Sequence, residues 1–370
     1  MLSSAPSARA AAQLIHYIFD SCQRRLYAGY WQFLLENAMT QRKIGSFKVQ
    51  SIGLGCMNLD HAYGPSVSEE QGEKVLLGAL DAGYDFLDTA TLYGGGKNEE
   101  RLGRVLKKHR NRFTLASKCG MAIVPVDGKM QRVIDGRPAT LRLEIENSLR
   151  RLQTDVIDLY YLHRWDKKIP IEESVGEMSR MVERGHVRAL GLSEVGAATL
   201  RKAHAVHPIA ALQSEYSLWT REPEIAVLQE CKELGVGFVA FSSVARKFFG
   251  GLTDANTLHE KDIRRTMARF QGENLAYNLK LLAPLEQIAK ELNVSVAQLA
   301  LAWVLAQGEH IVSTPGTTNP QHMQDNFAAQ NITLSATQLA TLDAAINQRT
   351  VKGARYDAQS QSEVDTETFA

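Results

Sequence analysis

The chain has 370 residues, 44% hydrophobic and 22% charged, which is enough apolar material for a large core and excludes a disordered or fibrous protein. Lys and Arg total 42 against 41 Asp and Glu, a formal charge of +1, so no overall attraction to nucleic acid or an anionic membrane is expected. The four cysteines, Cys22, Cys56, Cys119 and Cys231, are scattered, with no CxxC pair and no zinc-type spacing; this predicts a reducing, cytoplasmic setting and no metal site.

Residues 1–40 stand apart, small and polar at first and then a loosely helical mix of aromatics and arginines. They lack the apolar stretch of a secretory signal, and Asp20 and Glu36 do not suit a transit peptide, so a dispensable extension is expected. No apolar run approaches the about 20 residues needed to span a bilayer, so a soluble protein is expected. Residues 41–50 read as a small hairpin turning at Gly45 and Ser46.

From Ser51 onward one rhythm repeats: a short apolar or β-branched run, a polar turn, an amphipathic helix. Strands are predicted at 52–54, 85–88, 113–117, 156–161, 189–192, 210–213, 237–241 and 310–313. The predicted helices lie at 69–81, 99–108, 140–152, 171–184, 197–204, 223–234 and 275–292. Strands alternating with helices over about 300 residues imply parallel pairing through right-handed crossovers. Closure into an α/β (β/α)8 TIM barrel over 41–350, with a C-terminal tail at 351–370, is the simplest architecture; a doubly wound open sheet is the alternative. The glycine-rich pieces near Gly53 and Gly94 lack the GxGxxG spacing and downstream acid of a dinucleotide-binding open sheet, which favours the barrel.

In such a barrel the chemistry gathers where the strands end, because those loops converge. The second predicted strand ends at Asp88, with Tyr93 just beyond it, the third at Lys118 and the fourth at His163. Each alone has an ordinary structural reading; groups able to move protons at successive strand ends point to one site. An ammonium favours the phenolate and lowers the pKa of a nearby tyrosine, so Lys118, held by Asp88, would tune Tyr93 as a proton donor. His163 would place a hydrogen bond on the same reacting oxygen. No nucleophile with a paired base is present, which disfavours acyl transfer. A proton donor beside an oxyanion-stabilising group suits hydride addition to a carbonyl, and hydride requires a nicotinamide cofactor.

The motifs LDTATLYG, ASK, DLYYLHR, GLSEV, QSEYSLWTREPE and STPGTT, with DN downstream, occur in consistent order from about Ile44 to Asn347. Together they resemble the aldo-keto reductase family, in particular its members similar to potassium-channel beta subunits. The resemblance implies a (β/α)8 barrel and NAD(P)H-dependent reduction of aldehydes and ketones by the tetrad Asp88, Tyr93, Lys118 and His163. It also implies that Ser193 and Gln213 bind the nicotinamide carboxamide, that Tyr216 stacks on the ring, and that Asp325 and Asn326 contact adenine. The loop after the seventh strand would wrap the pyrophosphate through Ser242, Val244 and Arg246. Where relatives read like SPLGRGFLTG, this chain reads SSVARKFFGG, so Arg246 and Lys247 would replace close backbone approach by charge. Following Gly316 the chain has Thr318 and Asn319, where relatives preferring NADPH usually place Lys and Arg, so the cofactor is NADP(H) or NAD(H) with a leaning to NAD(H). Segments 127–137 and 244–271 would form the substrate rim. Cys119 is either a redox-sensitive thiol or simply packed. The regulatory alternative is a nicotinamide-sensing subunit with slow turnover.

Overall fold

The computed structural model describes residues 41–369, so the extension expected at residues 1–40 lies outside the described residues. The chain enters through an antiparallel hairpin, β1 (Gln41–Ile44) and β2 (Phe47–Gln50), turning at Gly45 as expected. Gly45 is left-handed (φ 55°), and a Cβ there would lie 2.7 Å from the Ala210 Cβ, so only glycine lets the turn sit against the barrel. The hairpin pushes Ile44 and Val49 into one cluster with Phe86, Ala116, Leu159, Tyr161, Val239 and Val312. Each such buried side chain contributes roughly 1.5–3 kcal/mol, and together these two close the floor of the barrel.

Eight parallel strands form the sheet, in chain order β3 (Leu54–Gly55), β4 (Phe86–Asp88), β5 (Thr114–Cys119), β8 (Ile157–Leu162), β9 (Val187–Ser193), β10 (Ile209–Glu215), β11 (Gly237–Phe241) and β12 (Ile311–Ser313). The first and last meet through the parallel bridges Ile52 to Ser313 and Gly55 to Gly316, and the Gly53 N–H donates to the Ser313 carbonyl at 2.8 Å. The expected (β/α)8 barrel is therefore closed, and the open-sheet alternative is set aside. Small inward residues permit the close packing: a Cβ on Gly191 would lie 2.4 Å from the Tyr161 ring.

Helices α1 (Glu69–Ala82), α2 (Lys97–Leu106), α3 (Pro138–Leu152), α4 (Ile171–Glu183), α5 (Ala197–Val206) and α6 (Val227–Leu234) follow the strands in turn, close to their predicted limits. The helix predicted at 275–292 is instead two, α7 (Gly272–Leu279) and α8 (Ala283–Leu292), separated by a 3-10 turn ahead of Pro284, which suits the first turn of a new helix. Four more helices were not predicted: α9 (Val296–Ala306), α10 (Pro320–Ala328), α11 (Ala336–Ala345) and the short α12 (Ala358–Ser362). The first and third of these begin with capping boxes, Ser295 with Gln298 and Ser335 with Gln338, a signal visible in the sequence. No single described helix is long and apolar enough to cross a membrane.

Between β5 and α3 the expected rim segment is a second hairpin, β6 (Met121–Val126) and β7 (Lys129–Ile134), turning on Asp127 (φ 48°) and Gly128 (φ 75°). Both turn residues are left-handed, the geometry that an Asp-Gly pair favours. Beyond the barrel, the C-terminal residues bind its upper edge: the Asp365 N–H donates to the Glu194 carbonyl at 2.9 Å, and Lys167 donates to the Val364 carbonyl at 2.7 Å.

Candidate active site

At the carboxyl ends of β4, β5 and β8 the four expected acid-base residues converge. Lys118 is fully buried; its ammonium forms a short ion pair with Asp88 Oδ1 and donates to the Thr89 carbonyl and the Tyr93 hydroxyl, each at 3.0 Å. The other Asp88 oxygen accepts from Gln213 Nε2 at 2.8 Å. The His163 ring meets the Tyr93 ring edge-on at 5.9 Å, and its Nδ1 is buried without a hydrogen-bond partner.

Electrostatics refine one expectation. Burial pushes the Tyr93 phenol above its ordinary value; Lys118 opposes that rise without overcoming it, because Asp88 neutralises much of the ammonium's field. The expected lowering of the phenol is thus corrected: Tyr93 keeps its proton near pH 7. Desolvation also acts against the Lys118 charge, but Asp88 and Tyr93 more than offset it and the ammonium is held on. Burial, reinforced by Arg164 and Lys118, keeps the His163 imidazole well below its usual pKa and therefore neutral near pH 7.

Local structure aims the phenol. Tyr93 opens a 3-10 turn through Gly94, Gly95 and Gly96, all left-handed at φ 60°, 65° and 96°, which turns the chain directly into α2. A buried polar network, absent from the sequence reading, supports that turn. Asn98 accepts from the Thr89 hydroxyl at 2.6 Å and donates to Asp60 at 2.8 Å, while Arg101 clamps both Asp60 oxygens at 2.8 and 3.0 Å. His61, also missed, stacks on the Tyr93 ring at 5.9 Å.

Strand parity sorts the expected cofactor residues, because alternate side chains face opposite sides. Ala189 and Gly191 point inward along β9, so Ser193 does as well, where its hydroxyl accepts from Arg164 at 3.2 Å. Gln213 is inward on β10, as its bond to Asp88 shows. Tyr216 is not at the mouth: it lies on the outer side, fully buried between Phe238 (5.9 Å) and Trp303 (5.4 Å), with its hydroxyl on Glu224. The side chain that shares the inward face with Val239 at the mouth end is Phe241, half-buried.

Arg246 also departs from expectation. Its guanidinium is 7% exposed and donates to Glu215 Oε2 at 2.8 Å, so it holds the loop together instead of offering charge to a phosphate. Ser242 (φ 55°), Ala245 (φ 48°), Arg246 (φ 52°) and Lys247 (φ 74°) carry left-handed backbone through the loop, and Val244 is half-buried within it. Farther along, segment 244–271 reaches across to the loop after β3: the Ile263 N–H donates to the Ala62 carbonyl at 3.0 Å, and Arg264 lies 4.8 Å over the Tyr63 ring. Gly316 lies against Asn58, whose Oδ1 would be 2.5 Å from a Cβ there. The Thr318 carbonyl accepts from Gln71 at 2.6 Å, and Asn319 caps α10 through the Gln321 N–H at 2.8 Å. On α10, Asp325 pairs with Gln321 and Asn326 is buried. Cys119 is packed, its thiol 3.4 Å from the Tyr161 carbonyl and raised well above the usual pKa by burial.

The model of the Aldo/keto reductase family matches residues 51–347. The chain belongs to that family. A "Probable aldo-keto reductase 1" of Glycine max is 41% identical over 317 residues, covering 85% of this chain and 91% of that one. The "Aldo-keto reductase yakc [NADP(+)]" of Schizosaccharomyces pombe is 39% identical over 333 residues, covering 88% and 97%. Among solved structures, the glycerol dehydrogenase of Gluconobacter oxydans superposes with a TM-score of 0.75 at 27% identity, over 86% of this chain and 98% of that one. An aldo/keto reductase of Klebsiella pneumoniae, solved with NADP and acetate, gives 0.63 at 27% identity, over 85% and 100%.

As an aldo/keto reductase the protein is an NAD(P)H-dependent oxidoreductase acting on small carbonyl compounds. The residues at the mouth fit the nicotinamide end of that cofactor: an inward hydroxyl and an inward amide lie beside the buried Asp88, Lys118 and Tyr93, a donor set suited to a carboxamide. Near Gly316 the expected ligands offer a main-chain carbonyl and a capping amide and no cation.

Proposed function

We propose that the protein reduces an aldehyde or ketone with Tyr93 as general acid, Lys118 and Asp88 tuning it, and His163 orienting the carbonyl. When bound, the cofactor supplies the hydride. The neutral imidazole donates a hydrogen bond to the carbonyl oxygen and holds it against the phenol. Tyr93 passes its proton to that oxygen as negative charge develops there, giving the alcohol, and the ammonium at 3.0 Å stabilises the phenolate left behind. Asp88 keeps Lys118 charged, and Gln213 fixes the carboxylate that does so. The contact that carries this reading is the buried Lys118 to Tyr93 hydrogen bond, since burial lets a charge-assisted bond act at greater strength.

The walls suggest the rest of the substrate. Ala90, Leu92, Met121 and Tyr93 form a small apolar cluster of their own, with Met57, Ile123 and Ile134 packed against it. A carbonyl compound with an apolar body fits this surface better than a sugar does. Ser193, Gln213 and the inward Phe241 are assigned to the nicotinamide, with Phe241 in the stacking role first expected of Tyr216. Ser242 and Val244 are assigned to the pyrophosphate, and Gly316, Thr318, Asn319, Asp325 and Asn326 to the adenosine end.

With no cation at Thr318 or Asn319, NADP(H) loses charge-assisted bonds of roughly 1.5–3 kcal/mol each, so NADH is expected to serve at least comparably to NADPH. Michaelis constants for the two cofactors check this, and a hundredfold preference for NADPH would contradict it. The function itself is tested by consumption of reduced cofactor with a panel of aldehydes, ketones and quinones. Cofactor binding with no turnover on any of them would favour a nicotinamide-sensing regulatory subunit.

A further inference from the structure

A buried charge cluster sits directly behind the cofactor-facing strand ends, and the C-terminal segment completes it. Glu194 follows Ser193 in a left-handed conformation (φ 56°) with its carboxylate fully buried. That carboxylate accepts from the Ser214 hydroxyl and the Glu215 N–H, both at 2.8 Å, and from Arg355 Nη2 at 2.9 and 2.8 Å. Arg355 also donates through Nε to Glu215 Oε2 at 3.1 Å, the same oxygen that receives Arg246. The Tyr356 ring lies beneath both guanidinium groups, 4.4 Å from Arg355 and 5.7 Å from Arg246. Two carboxylates thus meet two guanidinium groups, with Arg164 and Arg269 adding positive charge nearby, and among the described residues Arg355 is the cation that pairs with both acids.

Neither acid faces a reacting group, but each is covalently close to one that faces the cofactor. Glu194 is adjacent to Ser193, and Glu215 is two residues from Gln213, whose amide also holds Asp88. We propose that Arg355 is a positioning residue: by pairing Glu194 and Glu215 it sets the ends of β9 and β10, and with them the Ser193 hydroxyl and the Gln213 amide, at the spacing the nicotinamide carboxamide requires. This rests on the assignment of Ser193 and Gln213 made above. A shift of a fraction of an ångström in such groups weakens recognition strongly, whereas Tyr93 keeps its direct hydrogen bond from Lys118 and meets Gln213 only through Asp88.

The test uses the full chain with Arg355→Gln and Arg355→Lys, and with Ile346→Ala as a buried control outside the cluster. Binding of NADH and NADPH is measured by fluorescence titration from pH 5 to pH 8, alongside kcat, KM and thermal midpoint. The expectation is that Arg355→Gln raises the cofactor Kd and KM at least tenfold while kcat at saturation falls less than threefold. Lysine, able to pair one acid well, recovers part of the loss. Against burial, Arg355 and Arg164 both hold the Glu194 carboxyl low; removing the Arg355 guanidinium leaves Arg164 as the remaining cation to do so, and the affinity of Arg355→Gln therefore gains more on acidification than that of the wild type. An unchanged Kd in Arg355→Gln overturns the inference. So does a loss with no pH dependence that Ile346→Ala reproduces at equal thermal midpoint. A wild type that binds neither cofactor overturns the underlying assignment as well, which separates that failure from this one.

Discussion

Two buried ion clusters share one end of the barrel, and they are built to different specifications. In the Glu194, Glu215, Arg355 and Arg246 cluster every acid is met by a guanidinium and by further hydrogen bonds. In the Asp88 and Lys118 pair the charges are likewise satisfied, but the groups beside it are not: the Tyr93 proton is free to be given away, and His163 Nδ1 is buried without a partner. A saturated network holds positions; a network with one phenol hydroxyl and one imidazole ring uncommitted has capacity left for a substrate. The comparison therefore separates scaffold from chemistry at one edge of one sheet.

Lys118→Met should produce the largest effect, because it strands the Asp88 carboxylate and removes the phenolate's counter-charge together. The expected loss is about 3–5 kcal/mol of stability in denaturant melts, with turnover reduced by about 10² or more in the fraction that stays folded. Retained turnover would show that the two clusters do not differ in kind. Glu215→Gln should cost about 3–5 kcal/mol as well, by leaving Arg246 and Arg355 short of a carboxylate that is held at a pKa of about 2. Its kcat at saturating cofactor and substrate should fall far less than that of Lys118→Met; equal losses would erase the distinction.

A smaller effect concerns pH. Burial holds the folded His163 well below its ordinary 6.5, so the unfolded chain takes up that proton first as pH falls. Stability is therefore complete above about 6.5 and is lost on acidification below it, since the unfolded state binds more protons there. His163→Asn should flatten this limb of the stability profile between pH 7.5 and pH 5. An unaltered slope would mean that the imidazole is not held neutral.

What was legible in the sequence was local. The strand and helix rhythm and the polar residues at strand ends lie within a few positions of each other, so the sequence alone points to Asp88, Tyr93, Lys118 and His163, which the fold brings side by side. Parity at a strand terminus was less secure: Tyr216 sits one residue past β10, and that single step turns it outward to Trp303 while Phe241 faces in. Pairings across long stretches of chain were invisible. Arg246 reads as a free cation until Glu215 is seen beside it, and Arg355 lies 161 residues from Glu194. The Asp127 and Gly128 turn and the Ser295 and Ser335 capping boxes carried signals that went unused.

The account stands on Tyr93 as the proton donor, and Tyr93→Phe measures that most directly, since it removes one hydroxyl from a buried ring and leaves Lys118 paired with Asp88. The account predicts a fall in kcat of about 10² to 10⁴ for carbonyl reduction with cofactor Kd little changed. Parallel loss of turnover and cofactor affinity, or retention of kcat, would contradict it.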